Sequence, residues 1–324
     1  MSKRPDQETC EPCFRTTIGG QALIEGIMMR GPKKQAIVVR GPEGLVVKEE
    51  ELKLIKDKHP FWGLPFVRGS ATFLGSVVSG VKALMFSADY YPEEDEPEEP
   101  SKFEIWLEHK LGSEKMSKLI VAISVVLGIA FSVGLFMLLP TFLASGVTFF
   151  TDSVVLRNLA EGVVRVAIFL GYLILCSKMK DMKRVFAYHG AEHKTIFCYE
   201  RGLELTVENV RVQTKHHPRC GTSFLFVVII ISILVFSVMF SIFPVHNVLL
   251  RMACQLLVLP VIVGISYEFN RYAGRHDNAV TKVLTAPGLW MQNFTTNEPD
   301  DSMIEVAIEA LKLVIPEEKG ADEW

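Results

Sequence analysis

The longest uncharged stretches of the chain decide which class of fold it can adopt. Residues 119–140 (LIVAISVVLGIAFSVGLFMLLP) and residues 224–243 (FLFVVIIISILVFSVMFSIF) contain no charged side chain. A helix of about 20 apolar residues crosses the hydrocarbon core of a bilayer, so both stretches predict membrane-spanning helices. The hydrophobic content of 49% over 324 residues agrees with a membrane protein. The alternative is a soluble helical protein in which these helices are buried.

Two further stretches predict spans. Residues 252–267 are apolar between charged residues, whereas residues 154–177 are apolar mainly in their second half and carry Arg157, Glu161 and Arg165. These three residues are four apart, so they form one stripe of a helix, where they can pair with one another and face other helices. The stripe indicates either a buried structural network or a transport path.

The distribution of lysine and arginine predicts the orientation of the four spans. Basic residues in short loops mark the cytoplasmic side, and the loop of residues 141–153 has none. Four spans with both termini in the cytoplasm therefore fit the basic residues that flank them: Lys115, Lys118, Lys178, Lys180, Lys183, Arg184, Arg271 and Arg275.

The cysteines and the net charge indicate the cellular compartment of the protein and the kind of partner it has. The six cysteines have no regular spacing, and they are interpreted as reduced thiols of a cytosol-facing protein rather than as disulfides. The formal charge of −3 is too small to indicate a nucleic acid partner. The expected partner is the lipid bilayer, while a homo-oligomer and an association with other membrane proteins both stay open.

A fifth apolar segment, residues 64–88, is interrupted by glycines, serines, Arg68 and Lys82. Its longest uncharged run is too short for a comfortable span, so an interfacial or re-entrant helix is expected. Near the N-terminus, two β-branched runs surround Gly-Pro-Glu-Gly within residues 35–52 and predict a β-hairpin.

Near the C-terminus, Ser302 and Glu305 have the spacing of a capping box. The box predicts the start of an amphipathic helix that packs on a protein or membrane surface. Its apolar side would consist of Ile304, Ile308, Leu311 and Ile315.

The predicted fold is mainly α: a polytopic helical membrane protein with about four transmembrane helices, an interfacial or re-entrant helix and a small β-containing cytosolic module. The expected divisions are a disordered N-terminus (1–15), the module with its hairpin (16–60), the interfacial helix (61–90), an acidic linker with an amphipathic lead-in (91–110), the membrane domain (111–268) with a cytosolic histidine-rich loop (178–222), and a cytosolic C-terminal segment (269–324).

The candidate chemistry lies in the histidine-rich loop. His189, Glu192 and His193 spell H-x-x-E-H, the inverted form of the zincin helix motif. Two imidazoles one helical turn apart can bind one zinc ion, and a carboxylate beside them can accept a proton from water. Gly190 weakens a helix, so His189 is expected in its first turn.

Further candidate ligands follow at the end of this loop and after the last span. His216, His217 and Cys220 directly precede one span, and Glu268 and His276 follow another on the same predicted membrane face. Because zinc needs three or four such ligands, the pattern predicts one shared metal site. The alternatives are that the histidines bind lipid headgroups or cap helices, and that Cys220 only packs under its span.

Four motifs together resemble the bacterial YqhQ family, and the likeness runs from about residue 16 to the C-terminus. They are GGQALIEGIMMRGP at 19–32, PFVRG at 65–69, YHGAEHKTI at 188–196 and HHPRCGTSF at 216–224. The family is usually labelled a predicted metal-dependent enzyme, so the resemblance implies such an enzyme in the bacterial plasma membrane.

The resemblance also adds a second candidate surface, the glycine-rich block of residues 19–32. Its polar side chains Glu25 and Arg30 are further site candidates, and its glycines allow tight turns and a close approach of the backbone. The alternative is a turn that docks the hairpin onto the membrane domain.

Two classes of function follow from these patterns. The first is a membrane-embedded zinc hydrolase with His189, His193 and one of His217 or Cys220 as ligands and Glu192 as general base. The second is a non-catalytic transport component, or a scaffold for the assembly or translocation of membrane proteins, in which the cluster is structural. A catalytic zinc keeps one coordination position open, whereas a structural zinc is closed by four protein ligands.

Overall fold

The computed structural model describes residues 13–52, 60–90, 112–150, 153–276, 278–318 and 320–323. Most of the N-terminus predicted to be disordered and the whole acidic linker predicted for residues 91–110 lie outside these ranges. The chain divides into two compact units: unit 1 comprises residues 1–91, 172–232 and 259–324, and unit 2 comprises residues 92–171 and 233–258.

Unit 1 contains a four-stranded antiparallel sheet in the order β1-β2-β3-β4. The predicted hairpin is present, closed by the pair Gly41 and Gly44. The glycine-rich block, interpreted from the sequence as a turn, instead forms the other hairpin. The strands are β1 (Gly19–Leu23), β2 (Gly26–Arg30), β3 (Lys34–Gly41) and β4 (Gly44–Glu51).

Helices make up most of the remaining described residues. They are α1 (Val67–Ala88), α2 (Ser113–Val133), α3 (Leu139–Ser145), α4 (Val154–Lys178), α5 (Lys180–Glu200), α6 (Val207–Arg211), α7 (Gly221–Ile242), α8 (Val248–Arg275), α9 (Ala279–Thr295) and α10 (Asp301–Lys312). A π-helical turn, Gly134–Leu138, joins α2 to α3, and short 3₁₀ turns occupy Pro60–Gly63 and Gly146–Phe149.

Five helical stretches are long and apolar enough to cross a membrane, so the predicted count of four spans is not exact. They are Val67–Ala88, Leu119–Ser145, Val154–Lys178, Gly221–Ile242 and Val248–Arg275. The first is the segment that the sequence indicates as interfacial. The other four coincide with the predicted spans to within a few residues at each end, apart from the longer last helix.

Helix α8 extends well beyond the predicted span of residues 252–267 at both ends. Pro260 lies inside this helix, and its carbonyl oxygen accepts a hydrogen bond from Ser70 Oγ at 2.6 Å. The charged residues that limited the prediction, Arg251 and Glu268, both lie inside the helix and both have ion-pair partners.

Strands β2 and β3 are buried, whereas β4 is largely exposed. Alternate residues of a strand point to opposite sides, so the two faces of β3 contribute to different clusters. Ala36 and Val38 of β3 belong to a core cluster with residues of α5 and α10. Ile37 and Val39 belong to a second cluster, which includes Ala83 of α1. One side of α1 thus lies on the sheet, although the whole helix is long enough to span a bilayer.

Helix α10 contributes the apolar side that the sequence predicts: Ile304, Ile308 and Leu311 are buried in the first cluster. Ile315 lies beyond the end of the helix and packs against the same cluster. The predicted capping box is wrong, since the N-cap is Asp300, whose carboxylate accepts the Met303 N–H at 3.0 Å. Asp300 offers the stronger acceptor and stands directly before the helix.

Helix α5 begins at Lys180, so His189 lies in the middle of the helix and not in its first turn. Gly190 has a packing role instead. A Cβ atom at this position would come within 2.0 Å of the Asn297 carbonyl oxygen. The glycine therefore allows the segment after α9 to run directly against α5.

Candidate metal centre

Helix α5 holds His189 and His193 one turn apart, and a backbone carbonyl fixes each ring. His189 Nδ1 lies 2.8 Å from the Thr295 carbonyl oxygen, and His193 Nδ1 lies 2.6 Å from that of Lys215. A carbonyl oxygen only accepts, so each Nδ1 carries the proton and donates it. The Nε2 atom of each ring is therefore the one available to a metal ion.

Cys220, directly before α7, completes a group of three ligand atoms. Its sulfur lies 3.1 Å from His189 Nε2. One ligand atom from each of His189, His193 and Cys220 lies within 4.8 Å of the other two. His193 Nε2 is buried and has no hydrogen-bond partner among the residues that the structure describes. The group could therefore hold a metal ion.

The electrostatics of the group favour the thiolate form of the cysteine. Burial alone would raise the pKa of Cys220, but His189 and His193 lower it well below its usual range. Burial lowers the pKa of His189, whereas the Cys220 sulfur and Glu192 raise it to about 9. The thiolate is the form that binds metals, and a metal ion displaces the proton shared with the imidazole.

Glu192 lies beside the group and is held by the edge strand of the sheet. Its Oε1 accepts the Gly20 N–H at 2.9 Å. Its Oε2 is buried and has no partner within the described ranges. Burial raises the pKa of Glu192 above its usual value. A Cβ atom on Gly20 would lie 2.9 Å from Glu192 Cδ, so only glycine allows this approach.

A cavity of about 490 Å³ adjoins the group. Glu192, His193 and Cys220 line it on one side. Arg30 and Tyr267 are also in its wall, and Arg30 contributes a guanidinium group that hydrogen-bonds Ser76 Oγ at 3.3 Å. The ligand atoms thus have open space beside them, large enough for a small organic molecule.

His216 and His217, both candidate ligands in the sequence analysis, do not belong to the group of His189, His193 and Cys220. The His217 Nε2 atom faces Glu200 Oε2 at 3.6 Å, and burial lowers the pKa of His217 to about 4. The Gln292 side chain holds the His217 backbone through two hydrogen bonds of 2.7 Å. His216 is bound to Asn293 Oδ1 at 3.2 Å.

The remaining sequence candidates also lie outside the group. Glu268 forms a two-point ion pair with Arg68, at 2.7 and 2.5 Å. His276 stacks on Tyr272 with a ring separation of 4.2 Å. The predicted meeting of Glu268 and His276 with the loop histidines is therefore not present in this structure.

Glu25 forms a two-point ion pair of 2.5 and 2.6 Å with Arg184 at the start of α5. It also accepts a hydrogen bond from the Tyr188 hydroxyl at 3.2 Å. Glu25 has φ 49° and occupies the turn of the first hairpin. Its contacts tie this hairpin to α5.

Sequence reasoning missed Glu200, which binds Arg219 beside Cys220, and the backbone groups that orient the two histidines. Glu200 is fully buried and accepts hydrogen bonds from Arg219 and from the Thr16 backbone N–H. The carbonyl groups that orient the histidines carry no side-chain signal that a sequence could show. The sequence did mark Gly20 as part of the glycine-rich block. It gave no indication that Gly20 contacts Glu192, because the two residues are 172 positions apart.

Two comparisons with known proteins identify relatives of the chain. The family described as "Protein of unknown function (DUF1385)" matches residues 64–317. The "Uncharacterized protein YqhQ" of Bacillus subtilis (strain 168) is 36% identical over 304 residues, which cover 90% of this chain and 90% of that protein. No solved structure matches the chain. The chain therefore belongs to the YqhQ (DUF1385) family.

Proposed function

We propose that this protein is a membrane-embedded, metal-dependent hydrolase, with zinc as its metal and His189, His193 and Cys220 as the ligands. The observation that carries the proposal is the fixed tautomer of both imidazoles. Each Nδ1–H donates to a backbone carbonyl, so each Nε2 lone pair is available to a metal ion beside the Cys220 sulfur. Carbonyl acceptors orient metal-binding histidines in this way in many proteins.

The donor set fits zinc, which binds imidazole nitrogen and thiolate sulfur and takes four ligands. Three protein ligands leave one coordination position open, as in catalytic zinc sites. The neighbouring cavity of about 490 Å³ supports this assignment, since a structural site needs no space beside it. His217, the alternative ligand, lies outside the group of three, with its Nε2 atom 3.6 Å from Glu200 Oε2.

Glu192 is the proposed general base. A bound zinc ion supplies Lewis-acid chemistry, which activates water as a nucleophile and polarises the bond to be cleaved. The Gly20 N–H fixes Glu192 Oε1 and leaves Oε2 free to accept the proton from water and to return it to the leaving group. Burial of this carboxylate excludes competing solvent.

The proposed setting is the bacterial plasma membrane, with four full spans and both termini in the cytoplasm. The lysine and arginine residues that flank the spans support this orientation. The contact of α1 with the sheet supports an interfacial position for this helix, since Ala83 packs in the same cluster as Ile37 and Val39. The candidate centre would then face the cytosol beside the bilayer surface.

The test combines metal content with function. Elemental analysis of the purified protein should find close to one zinc per chain, and His193→Ala should lower that content. Glu192→Gln should keep the zinc but reduce the activity by a factor of about 10²–10⁴. Complementation of a deletion strain, with membrane abundance measured in parallel, gives a functional readout while the substrate is unidentified.

A matched pair of cysteine variants provides the control. Cys220→Ser should lose zinc, whereas Cys198→Ser should keep it, because Cys198 is also buried but packs in the first core cluster, where its thiol donates to the Glu204 carbonyl. A fully functional, normally abundant Glu192→Gln protein would refute the hydrolase and favour a structural role. Wild-type protein purified without any bound transition metal would refute the metal centre itself.

A further inference from the structure

Arg30 is a charged residue of the cavity beside the candidate metal centre, and its charge is not balanced by the described residues. It is half-buried at the end of β2, and its Nη1 donates to Ser76 Oγ at 3.3 Å. This hydroxyl is its hydrogen-bond partner, and no carboxylate of the described ranges pairs with it. An arginine keeps its charge at physiological pH. Because a partly desolvated charge is costly without a counter-charge, Arg30 favours an anion in the cavity.

The other arginine in the cavity wall is already neutralised. Arg219 forms an ion pair with the fully buried carboxylate of Glu200. Glu192 is the one carboxylate among the described residues that line the cavity, and it binds the Gly20 N–H rather than a guanidinium group. Arg30 is therefore the cation of this wall that is left to recognise a ligand.

Two hydroxyl groups lie in the same wall as Arg30. Ser76 on α1 accepts the hydrogen bond from Arg30, and its own proton is free to be donated to a ligand. Tyr267 on α8 is close enough to Arg30 to influence its charge, and its hydroxyl has no hydrogen-bond partner in the described part of the chain. A guanidinium fork binds phosphate oxygens through two parallel hydrogen bonds, and hydroxyl groups supply further donors.

The size and position of the cavity fit an organic phosphate. Its volume of about 490 Å³ lies within the range of small-molecule sites and exceeds the need of a single inorganic ion. The cavity reaches the surface at α1, where Ser76 is exposed and the nearby apolar side chains Phe73 and Val77 are exposed as well. Helices α1 and α8 are both long and apolar enough to cross a membrane. Lipids and water-soluble molecules can therefore both approach this opening.

We propose that the cavity binds a phosphate group of the substrate, with Arg30 as its principal binding residue and the hydroxyls of Ser76 and Tyr267 as further donors. The inference rests on the proposed function, because it assigns a substrate class to the same site: a phosphate ester, supplied either by a phospholipid headgroup or by a water-soluble compound. A phosphate monoester has three non-bridging oxygens, so it can accept hydrogen bonds from all three side chains. A carboxylate has only two oxygens.

The test measures anion-dependent stability of the full chain in detergent, with zinc content determined on the same samples. Inorganic phosphate or acetate replaces chloride at constant ionic strength. We expect phosphate to raise the melting temperature saturably, by roughly 5 °C at a hundredfold excess over its Kd. Acetate should have no such effect. A zinc-loaded protein that shows no phosphate effect, or an equal effect of acetate, would overturn the proposal and leave the metal centre intact.

Failure of the proposed function has a separate readout. Protein without bound transition metal refutes the metal centre by elemental analysis, whichever anion binds. Glu192→Gln, in which the proposed general base is lost, should show the phosphate response of the wild type, because Glu192 is not a phosphate ligand in this proposal. The melting curves therefore decide phosphate binding independently of hydrolysis.

Arginine variants test the role of Arg30. Arg30→Gln should keep its zinc but raise the half-saturating phosphate concentration about tenfold or more, since it loses charge-assisted hydrogen bonds. Arg211→Gln is the control, because Arg211 is exposed on α6, pairs with Asp301 and lies outside the cavity. Its phosphate response should equal that of the wild type. Unchanged phosphate affinity in a folded Arg30→Gln protein would contradict the proposal.

If Arg30→Gln does not fold, Tyr267→Phe provides the same decision. This variant keeps the part of the side chain that packs against Gly69 and removes only the hydroxyl. It should raise the half-saturating phosphate concentration by a factor of about 2–10. Wild-type phosphate affinity in Tyr267→Phe would then contradict the proposal.

Two phosphate esters distinguish the sources of the phosphate group. Glycerol 3-phosphate is compared with dihexanoyl phosphatidic acid, a lipid that is soluble as a monomer. Much tighter binding of the lipid would support the proposal with a phospholipid substrate, whereas equal binding would support it with a water-soluble one. Dihexanoyl glycerol lacks the phosphate and should not bind. If it bound as tightly as the phosphatidic acid, the cavity would recognise acyl chains and the proposal would be wrong.

Discussion

At the scale of single residues, the candidate metal centre depends on contacts made by the backbone. The rings of His189 and His193 are oriented by carbonyl oxygens, and Glu192 is oriented by the Gly20 N–H. A mutation cannot remove a backbone N–H or carbonyl group without replacing the residue by proline. Substitution of Gly20 can, however, displace the Glu192 carboxylate that its N–H binds.

Gly20→Ala tests the positioning of Glu192. The added methyl group would lie 2.8 Å from the Met28 carbonyl oxygen and 2.9 Å from Glu192 Cδ, so the carboxylate must move. We expect the variant to bind zinc, since no ligand is touched, but to fail in complementation of a deletion strain. The overpacking should lower stability by about 1–3 kcal/mol.

Gly19→Ala is the matched control, because no atom lies within 4 Å of the Cβ position at Gly19. It should resemble the wild type in zinc content, abundance and complementation. Full complementation by Gly20→Ala would show that the position of Glu192 is unimportant.

At the scale of secondary-structure elements, helix α5 is the scaffold of the centre, and the chain that follows α9 packs against it. This packing brings the Thr295 carbonyl to His189 and the Asn297 carbonyl to Gly190. The same approach is supported by a hydrogen bond from the Asn297 N–H to the Phe186 carbonyl at 2.8 Å.

Gly190→Ala should separate these two segments. Its Cβ atom would be 2.0 Å from the Asn297 carbonyl oxygen, so either α5 or the segment after α9 must shift. We expect a loss of about 1–3 kcal/mol or more in stability and reduced zinc content, because the His189 ring loses its acceptor. Thermal unfolding followed by elemental analysis measures both quantities.

The helical Gly171 offers a comparison, since a Cβ atom there meets nothing within 4 Å. Gly171→Ala should leave zinc content unchanged, with stability equal to or up to about 1 kcal/mol above the wild type. If both glycine variants retained wild-type zinc, the packing of α5 would not determine the centre.

The N-terminus of α10 provides a second test at this scale. Asp300→Ala removes the acceptor of the Met303 N–H and should cost about 0.5–2 kcal/mol in local stability. Amide hydrogen exchange of the α10 backbone measures this loss. Ser302→Ala should have a smaller effect, since the Ser302 hydroxyl only donates to Asp300. If Ser302→Ala cost more stability than Asp300→Ala, Ser302 would be the N-cap, as the sequence predicts.

The contribution of Asp300 should depend on pH. Burial raises its pKa, but hydrogen bonds from Ser302 and Met303 and the charge of Arg184 bring it below the usual value. A carboxyl group with a lowered pKa in the folded state stabilises the protein above its unfolded pKa and loses this effect as the pH falls. The difference between wild type and Asp300→Ala should therefore be constant near neutral pH and shrink below about pH 4.

At the scale of the whole molecule, cysteine labelling measures the orientation in the membrane. Single cysteines at Phe150, which is highly exposed, and at Glu208 on α6 can be added to the chain with its own cysteines retained. A membrane-impermeant maleimide should label Phe150→Cys in intact cells and Glu208→Cys only after permeabilisation. The parent chain gives the background labelling. Labelling of Glu208→Cys in intact cells would contradict the four-span orientation.

The sequence alone determined the local features of this protein. The long uncharged apolar runs of this chain form helices, because a helix satisfies its own backbone groups in an apolar environment. The H-x-x-E-H spacing brings His189 and His193 to one side of α5 for an equally local reason, the helical repeat. The hairpin of β3 and β4 likewise follows from its two β-branched runs and the Gly-Pro-Glu-Gly turn between them.

Only the tertiary structure decided which distant groups meet. Cys220 lies beside the two histidines, whereas the His217 Nε2 atom faces Glu200, although His217 and Cys220 are only three residues apart in one motif. Gly20 reaches Glu192 across 172 positions. Such contacts depend on how the sheet, α5 and the segment after α9 pack together, and packing is a property of shapes and volumes that no local pattern of residues contains.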